Sequence, residues 1–187
     1  MSDVAGTLKD ATTKMDKALE VAKEDFASIR TGRAHPSLFN KVMVDYYGTF
    51  TPLSQLASIQ VPEARMALVS PFDKGAMASI EKAIRESDLG VNPGNDGVVI
   101  RVNFPQLTEE RRKEYIKVVR TKAEDAKISL RNIRRHAKET MEKLEKDGDI
   151  GKDDLTRGEK DLEKLTGDHV SKIDDLLKHK EVELLEV

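Results

Sequence analysis

Three arginines, Arg131, Arg134 and Arg135, stand within five residues, and no acidic residue falls between Lys127 and Lys138. Uncompensated guanidinium groups suit phosphate oxygens, because their planar fork donates two parallel hydrogen bonds. Lys113, Lys117, Arg120, Lys127 and Lys138 extend the cluster at helical spacing. If residues 108–146 form one helix, these cations line one face of a rod about 58 Å long, at about 1.5 Å per residue. Such an edge is built to lie against something large and negatively charged. With no Trp and eight aromatic residues in the chain, stacking on splayed bases is disfavoured. The expected contact is electrostatic and led by shape, to folded RNA. The competing reading is a solvated face, in which Glu110, Glu114, Glu124 and Glu139 pair with neighbours three or four residues on.

Other chemistries have less to stand on. The four histidines, His35, His136, His169 and His179, are scattered without a metal-binding spacing, and there is no Cys. No glycine run matches a phosphate-binding loop. Asp147-Gly148-Asp149-Ile150-Gly151-Lys152 begins like a calcium loop, but Gly151, Lys152 and Gly158 occupy its fifth, sixth and twelfth positions, where ligands or a required glycine are wanted. Neither catalysis, a metal nor a cofactor is expected. No apolar run approaches a membrane span, and the N-terminal residues carry no basic segment or apolar core, so no signal peptide is expected. A soluble cytoplasmic protein, monomeric and free of membranes, is the plain expectation.

The stripe needs a rigid support, and the apolar pattern supplies one. Ile116, Val119, Ala123, Ala126, Leu130, Ile133, Ala137, Met141 and Leu144 advance by steps of three and four, a narrow seam close to a 3.5-residue period. Val4, Leu8, Ala11, Met15, Ala18, Ala22, Phe26 and Ile29 repeat that seam. Leu155, Leu162, Leu165, His169 or Val170, Ile173, and Leu176 or Leu177 form a third copy. Thr108 can cap the second helix, and residues 146–151 read as the turn into the third, with Asp153 and Asp154 in its first turn. Each seam needs two neighbours to cover it, so three seamed helices predict a three-helix bundle. Its charge is uneven: residues 108–146 hold 13 Lys/Arg against 8 Asp/Glu, net +5, and residues 152–187 hold 7 against 11, net −4.

Residues 31–104 have a different composition, with 14 charged residues in 74 against 52 in the remaining 113. They read as a globular domain inserted into the helical one. Strands are expected at 41–47, 58–61, 67–70 and 98–102, with a helix along Met77, Ile80, Ala83 and Ile84. Pro62 and Pro71 are expected to end the second and third strands. Arg30, Thr31, Gly32 and Arg33 lead in, and Phe104 and Pro105 lead out. Glycine's freedom and the entry and exit at one place predict a hinge on which the insert swings. The expected division is 1–30 with 105–187 for the bundle, and 31–104 for the insert.

Six stretches in order carry a resemblance: 29–34 (Ile-Arg-Thr-Gly-Arg-Ala), 44–49 (Val-Asp-Tyr-Tyr-Gly-Thr), 52–57 (Pro-Leu-Ser-Gln-Leu-Ala), 87–90 (Ser-Asp-Leu-Gly), 107–113 (Leu-Thr-Glu-Glu-Arg-Arg-Lys) and 131–135 (Arg-Asn-Ile-Arg-Arg). By these the chain resembles the bacterial ribosome recycling factor family over essentially its full length. The resemblance implies an α+β, L-shaped two-domain fold: an antiparallel three-helix bundle with an inserted small β/α/β domain. It also implies a translation factor, not an enzyme, that binds the post-termination 70S ribosome. With elongation factor G and GTP, such a factor splits the ribosome into subunits. Arg131, Arg134 and Arg135 would contact large-subunit rRNA, joined by Arg120, Lys127 and Lys138 of the stripe, with Arg30 and Arg33 as weaker candidates. Gly151 stands where family members often have a better capping residue. The alternative is a helical scaffold that recruits a protein through its seams, its basic face merely solvated.

Overall fold

The computed structural model describes residues 3–186. The fold is α+β. Its order is α1 (Val4–Ala27), β1 (Met43–Tyr46), β2 (Thr49–Pro52), β3 (Ala57–Glu63), β4 (Met66–Pro71), α2 (Met77–Glu86), β5 (Gly94–Asn95), β6 (Ile100–Asn103), α3 (Glu109–Lys146) and α4 (Lys152–Leu185). Among the described residues no helix is long and apolar enough to cross a membrane.

The chain divides into two compact units. The first comprises Met1–Phe26 and Val118–Lys180, and the second Ala27–Lys117 and Glu181–Val187. This division differs from the one expected from composition. Residues 27–30, the first turns of α3 and the last turn of α4 join the inserted elements. Composition tracks the kind of element, whereas compactness tracks what each stretch packs on, so a helix can cross the boundary unbroken.

In the first unit, α1, α3 and α4 form a three-helix bundle. Lys127 pairs with Asp174, and Lys138 approaches Glu159, so α3 and α4 are antiparallel. Asp16 meets His169, and Val4 lies beside Gly158, so α1 and α4 are parallel. The buried row on α1 is Ala11, Met15, Leu19, Ala22 and Phe26. Leu19, not Ala18, takes the central place, since the larger side chain fills more of the seam. On α3 the buried members are Val119, Ala123, Leu130, Ala137, Met141 and Leu144, all from the expected seam. On α4 the row passes through Thr166 and His169 rather than Val170. The His169 ring meets the Leu165 carbonyl at 2.8 Å through Nδ1 and the Asp16 carboxylate at 2.7 Å through Nε2, so the buried imidazole is satisfied at both nitrogens.

The helix ends obey local rules. The Arg111 N–H donates to Thr108 Oγ1 at 3.2 Å, the expected cap of α3. Gly148, at φ 79°, turns the chain out of α3, and the Asp149 N–H returns to the Leu144 carbonyl. Gly151 has no side chain to cap α4, but its own N–H donates to Asp154 Oδ2 at 3.3 Å.

The second unit holds a two-stranded antiparallel sheet, β1–β2, and a four-stranded antiparallel sheet ordered β3-β4-β6-β5. The four expected strands correspond to β1, β3, β4 and β6. The short β2 and β5 have weak apolar alternation and were not anticipated. Pro62 does not end β3, which runs on to Glu63. β3 is an edge strand, and its register with β4 shifts between Gln60 and Glu63, where a missing N–H is tolerated. Phe39, Val44, Leu53, Val69, Ile80, Ile84, Ile100, Val102 and Phe104 build one core cluster of this unit.

Candidate nucleic-acid interface

Residues 109–146 contain neither Gly nor Pro, so α3 runs through 38 residues without a break, about 57 Å at about 1.5 Å per residue. The expected contact residues sit on this rod. Arg131, Arg134 and Arg135 are all exposed. The side chains of Arg134 and Arg135 make no hydrogen bond or ion pair among the described residues. Arg131 donates through Nη1 to Glu124 Oε1 at 3.1 Å, an exposed pair two turns back along the helix.

The lysines differ. Lys127 is paired with Asp174 of α4, and its side chain is 19% exposed. Lys138 lies 3.7 Å from Glu142 and 4.0 Å from Glu159 of α4. Arg120 is exposed and engaged within the chain. The acidic helix therefore offsets one border of the stripe and leaves Arg134 and Arg135 as its least compensated cations. No local pattern announces Asp174 or Glu159 as partners; the one signal was the net negative charge of residues 152–187.

Arg30 occupies a different setting. It is 5% exposed, with its guanidinium carbon 5.4 Å from the centroid of the Phe104 ring. That ring face attracts the cation. Arg30 Nε and Nη2 are buried without a hydrogen-bond partner. Burial pushes the Arg30 guanidinium below its ordinary value, opposed by Tyr115 and reinforced by Arg111. Such a group is packed rather than displayed. Arg33, by contrast, is exposed.

The residues expected to form a hinge, Arg30, Thr31, Gly32, Arg33, Phe104 and Pro105, all lie inside the second unit. The Ala34 N–H donates to the Ala64 carbonyl and the Phe104 N–H to the Arg65 carbonyl, so entry and exit are tied to the same β3–β4 turn. Gly32 does not take a positive φ, and a Cβ there would meet only the Glu186 carbonyl, at 4.0 Å. In this arrangement its backbone lies outside the left-handed region.

The ribosome recycling factor family model matches residues 22–185. The chain is 64% identical to the ribosome-recycling factor of Streptomyces avermitilis, covering 97% of this chain and 98% of that one. It is 65% identical to the ribosome-recycling factor of Arthrobacter sp., with the same coverage. The chain belongs to the ribosome recycling factor family. A solution structure of the ribosome recycling factor is 40% identical, with a TM-score of 0.77 over 100% of both chains. A second similar structure has a TM-score of 0.68 at 40% identity, over 99% of this chain and 100% of that one. That structure comprises models for the T. thermophilus ribosome recycling factor and the E. coli elongation factor G bound to the E. coli post-termination complex. The ribosome recycling factor match takes in α3, the arginine cluster and the whole insert.

Proposed function

We propose that this chain is a cytoplasmic translation factor that binds the post-termination ribosome. With elongation factor G and GTP, it splits the ribosome into subunits. It performs no bond chemistry of its own; GTP hydrolysis belongs to the elongation factor. The carrying observation is the pair Arg134 and Arg135, exposed and uncompensated on a rigid 38-residue helix of a ribosome recycling factor family member. Phosphate oxygens of folded large-subunit rRNA are the ligands that such a face takes. Arg131 joins them by exchanging Glu124 for a phosphate. Arg120 and Lys138 act as flanking contacts. Lys127, held by Asp174, serves the bundle first.

The hinge reading carries forward in altered form. The two units are joined within α3 at Lys117–Val118 and within α4 at Lys180–Glu181, both inside continuous helices, and at Phe26–Ala27. Residues 31–104 join the helices only through the connections at Arg30–Arg33 and Phe104–Pro105, so a swing of the insert turns on those two connections.

The test is ribosome binding by Arg134→Glu. Affinity should fall at least about tenfold, the effect of about 1.4 kcal/mol, with helical content unchanged. Wild-type affinity should also fall steeply as salt rises. Unchanged affinity in a folded variant would overturn the assignment and leave the scaffold reading.

A further inference from the structure

Among the described residues, four polar or charged ones are buried: Arg30, Thr166, His169 and Lys180. Thr166 donates to the Leu162 carbonyl at 2.8 Å, His169 is satisfied at both ring nitrogens, and Lys180 is engaged within the chain. Of the four, Arg30 alone holds buried donors without a partner, at Nε and Nη2. Those two nitrogens form the edge of the guanidinium that grips an oxyanion with two parallel hydrogen bonds. A like charge, Arg111, lies near enough to disfavour its ionised form further. A buried cation with an empty bidentate edge needs an explanation, because buried polar groups are paired as a rule.

The explanation lies in where Arg30 sits. It belongs to the entry connection and Phe104 to the exit, so the contact of its guanidinium with the Phe104 ring crosses from one connection to the other. The exit side is fixed. Phe104 is 2% exposed, meets Phe39 edge-on with centroids 6.0 Å apart, and donates its N–H to the Arg65 carbonyl. The entry side is held less. Ile29, Arg30 and Gly32 make no hydrogen bond outside the helical ladder among the described residues, and the next backbone anchor is Ala34 on the Ala64 carbonyl. Packing of the Arg30 side chain is therefore a main tie between the two connections.

That tie works against itself. The ring face attracts the cation, but orphaned donors on a buried charge cost more than a ring face returns. Turning the entry connection outward returns both donors to water and ends that cost. The seated arrangement is thus held by packing and opposed by electrostatics, which is the condition for a catch that lets go. We propose that Arg30 is the release catch of the inserted domain. Seated on Phe104, it holds the entry and exit connections together, and its unpaired edge favours departure when the insert turns. It is a positioning residue, acting on subunit splitting through the joint. The proposal rests on the swing argued above.

The test is Arg30→Met, which keeps an unbranched stem against Phe104 and removes the charge and its donors. Its melting temperature should rise, because an apolar side chain replaces an unpaired buried charge. With 70S ribosomes, elongation factor G and GTP, splitting at saturating factor should slow about tenfold, as expected when a conformational step becomes limiting. The factor concentration giving half that rate should stay the same. Arg30→Lys restores a buried charge and should recover most of the rate. A side chain needed only for packing gives the opposite order, with Met faster than Lys. That order, a wild-type rate for Arg30→Met, or a melting temperature below the wild type's would overturn the proposal. Spin labels on Val21→Cys and Val98→Cys, both exposed in a chain with no other cysteine, separate failure of the catch from failure of the swing. Two distance populations are expected, narrowed to one by Arg30→Met. One distance in the wild type, unchanged by ribosomes, would deny the swing and the catch together. Two populations that Arg30→Met leaves unaltered would keep the swing and overturn the catch alone.

Discussion

The two units of this molecule present opposite surfaces. The bundle unit has one aromatic residue, Phe26, and buries it, while the inserted unit holds the other seven and exposes three of them. The bundle displays Arg131, Arg134 and Arg135 in a row on one helix. Long-range charge on a stiff rod attracts a polyanion and tolerates imperfect fit. Fixed aromatic rings need a matched surface and give specificity once contact is made. The cores differ in the same sense. The insert surrounds one cluster, whereas the bundle repeats a narrow seam along three helices.

The largest effect that could break this comparison is in the cores. Phe39→Ala should cost about 3–5 kcal/mol, because Phe39 sits edge-on to Phe104 within a closed cluster. Leu130→Ala in the α3 seam should cost about 2–3 kcal/mol, since helices can shift to close part of the space. Urea unfolding measures both, and equal losses would remove the distinction between cluster and seam.

A middle-sized effect sharpens the picture of the bundle. A Cβ at Gly158 would lie 2.8 Å from both Met141 Sδ and Val4 Cγ1, where all three helices meet. At Gly167 it would meet nothing within 4 Å. Gly158→Ala should therefore lose about 1–2 kcal/mol to overpacking despite the helical gain. Gly167→Ala should gain about 0.5–1 kcal/mol. Thermal melts of the two variants should move in opposite directions.

The smallest effect is local to the insert and depends on pH. Asp73 lies below its ordinary value of 3.8, first through the Gly75 N–H and then through the Tyr46 hydroxyl. Its stabilisation is present above the ordinary value and is lost as pH falls through the lower folded value. Tyr46 lies above its ordinary value of 10.0, chiefly through the same hydrogen bond to Asp73. Its contribution is present below that value and is lost as pH rises through the higher folded value. Tyr46→Phe should weaken both dependences, read as amide-exchange protection of Gly75 across the acid range and ring spectra of the wild type across the alkaline range. Unaltered acid dependence in the variant would detach the hairpin from Asp73.

Much of the bundle was legible because helical packing writes a period into the chain. The α3 seam, the Thr108 cap and the turn at Gly148 follow from side-chain spacing and backbone rules that act within a few residues. The insert was less legible. β2 and β5 are four and two residues long, and pairing with a neighbour rather than their own pattern makes them strands. Pro62 reads locally as a stop, yet an edge position with a register shift admits it. Of the candidate interface, the arginine cluster was visible as a run of uncompensated charge. That Lys127 belongs to Asp174 and that Arg30 is buried against Phe104 were not, because both partners are distant in sequence.

By itself, then, the amino-acid sequence determined the helices, their seams, the basic face of α3 and the family. Each of these depends on composition, periodicity or ordered motifs. Tertiary structure alone decided which cations stay uncompensated, which arginine is packed away, and where the chain divides into compact units. It also decided that Asp73 gathers Tyr46 and Tyr47 at the hairpin. Those outcomes depend on distances between residues far apart in the chain, and charge and packing act through space, not along the sequence.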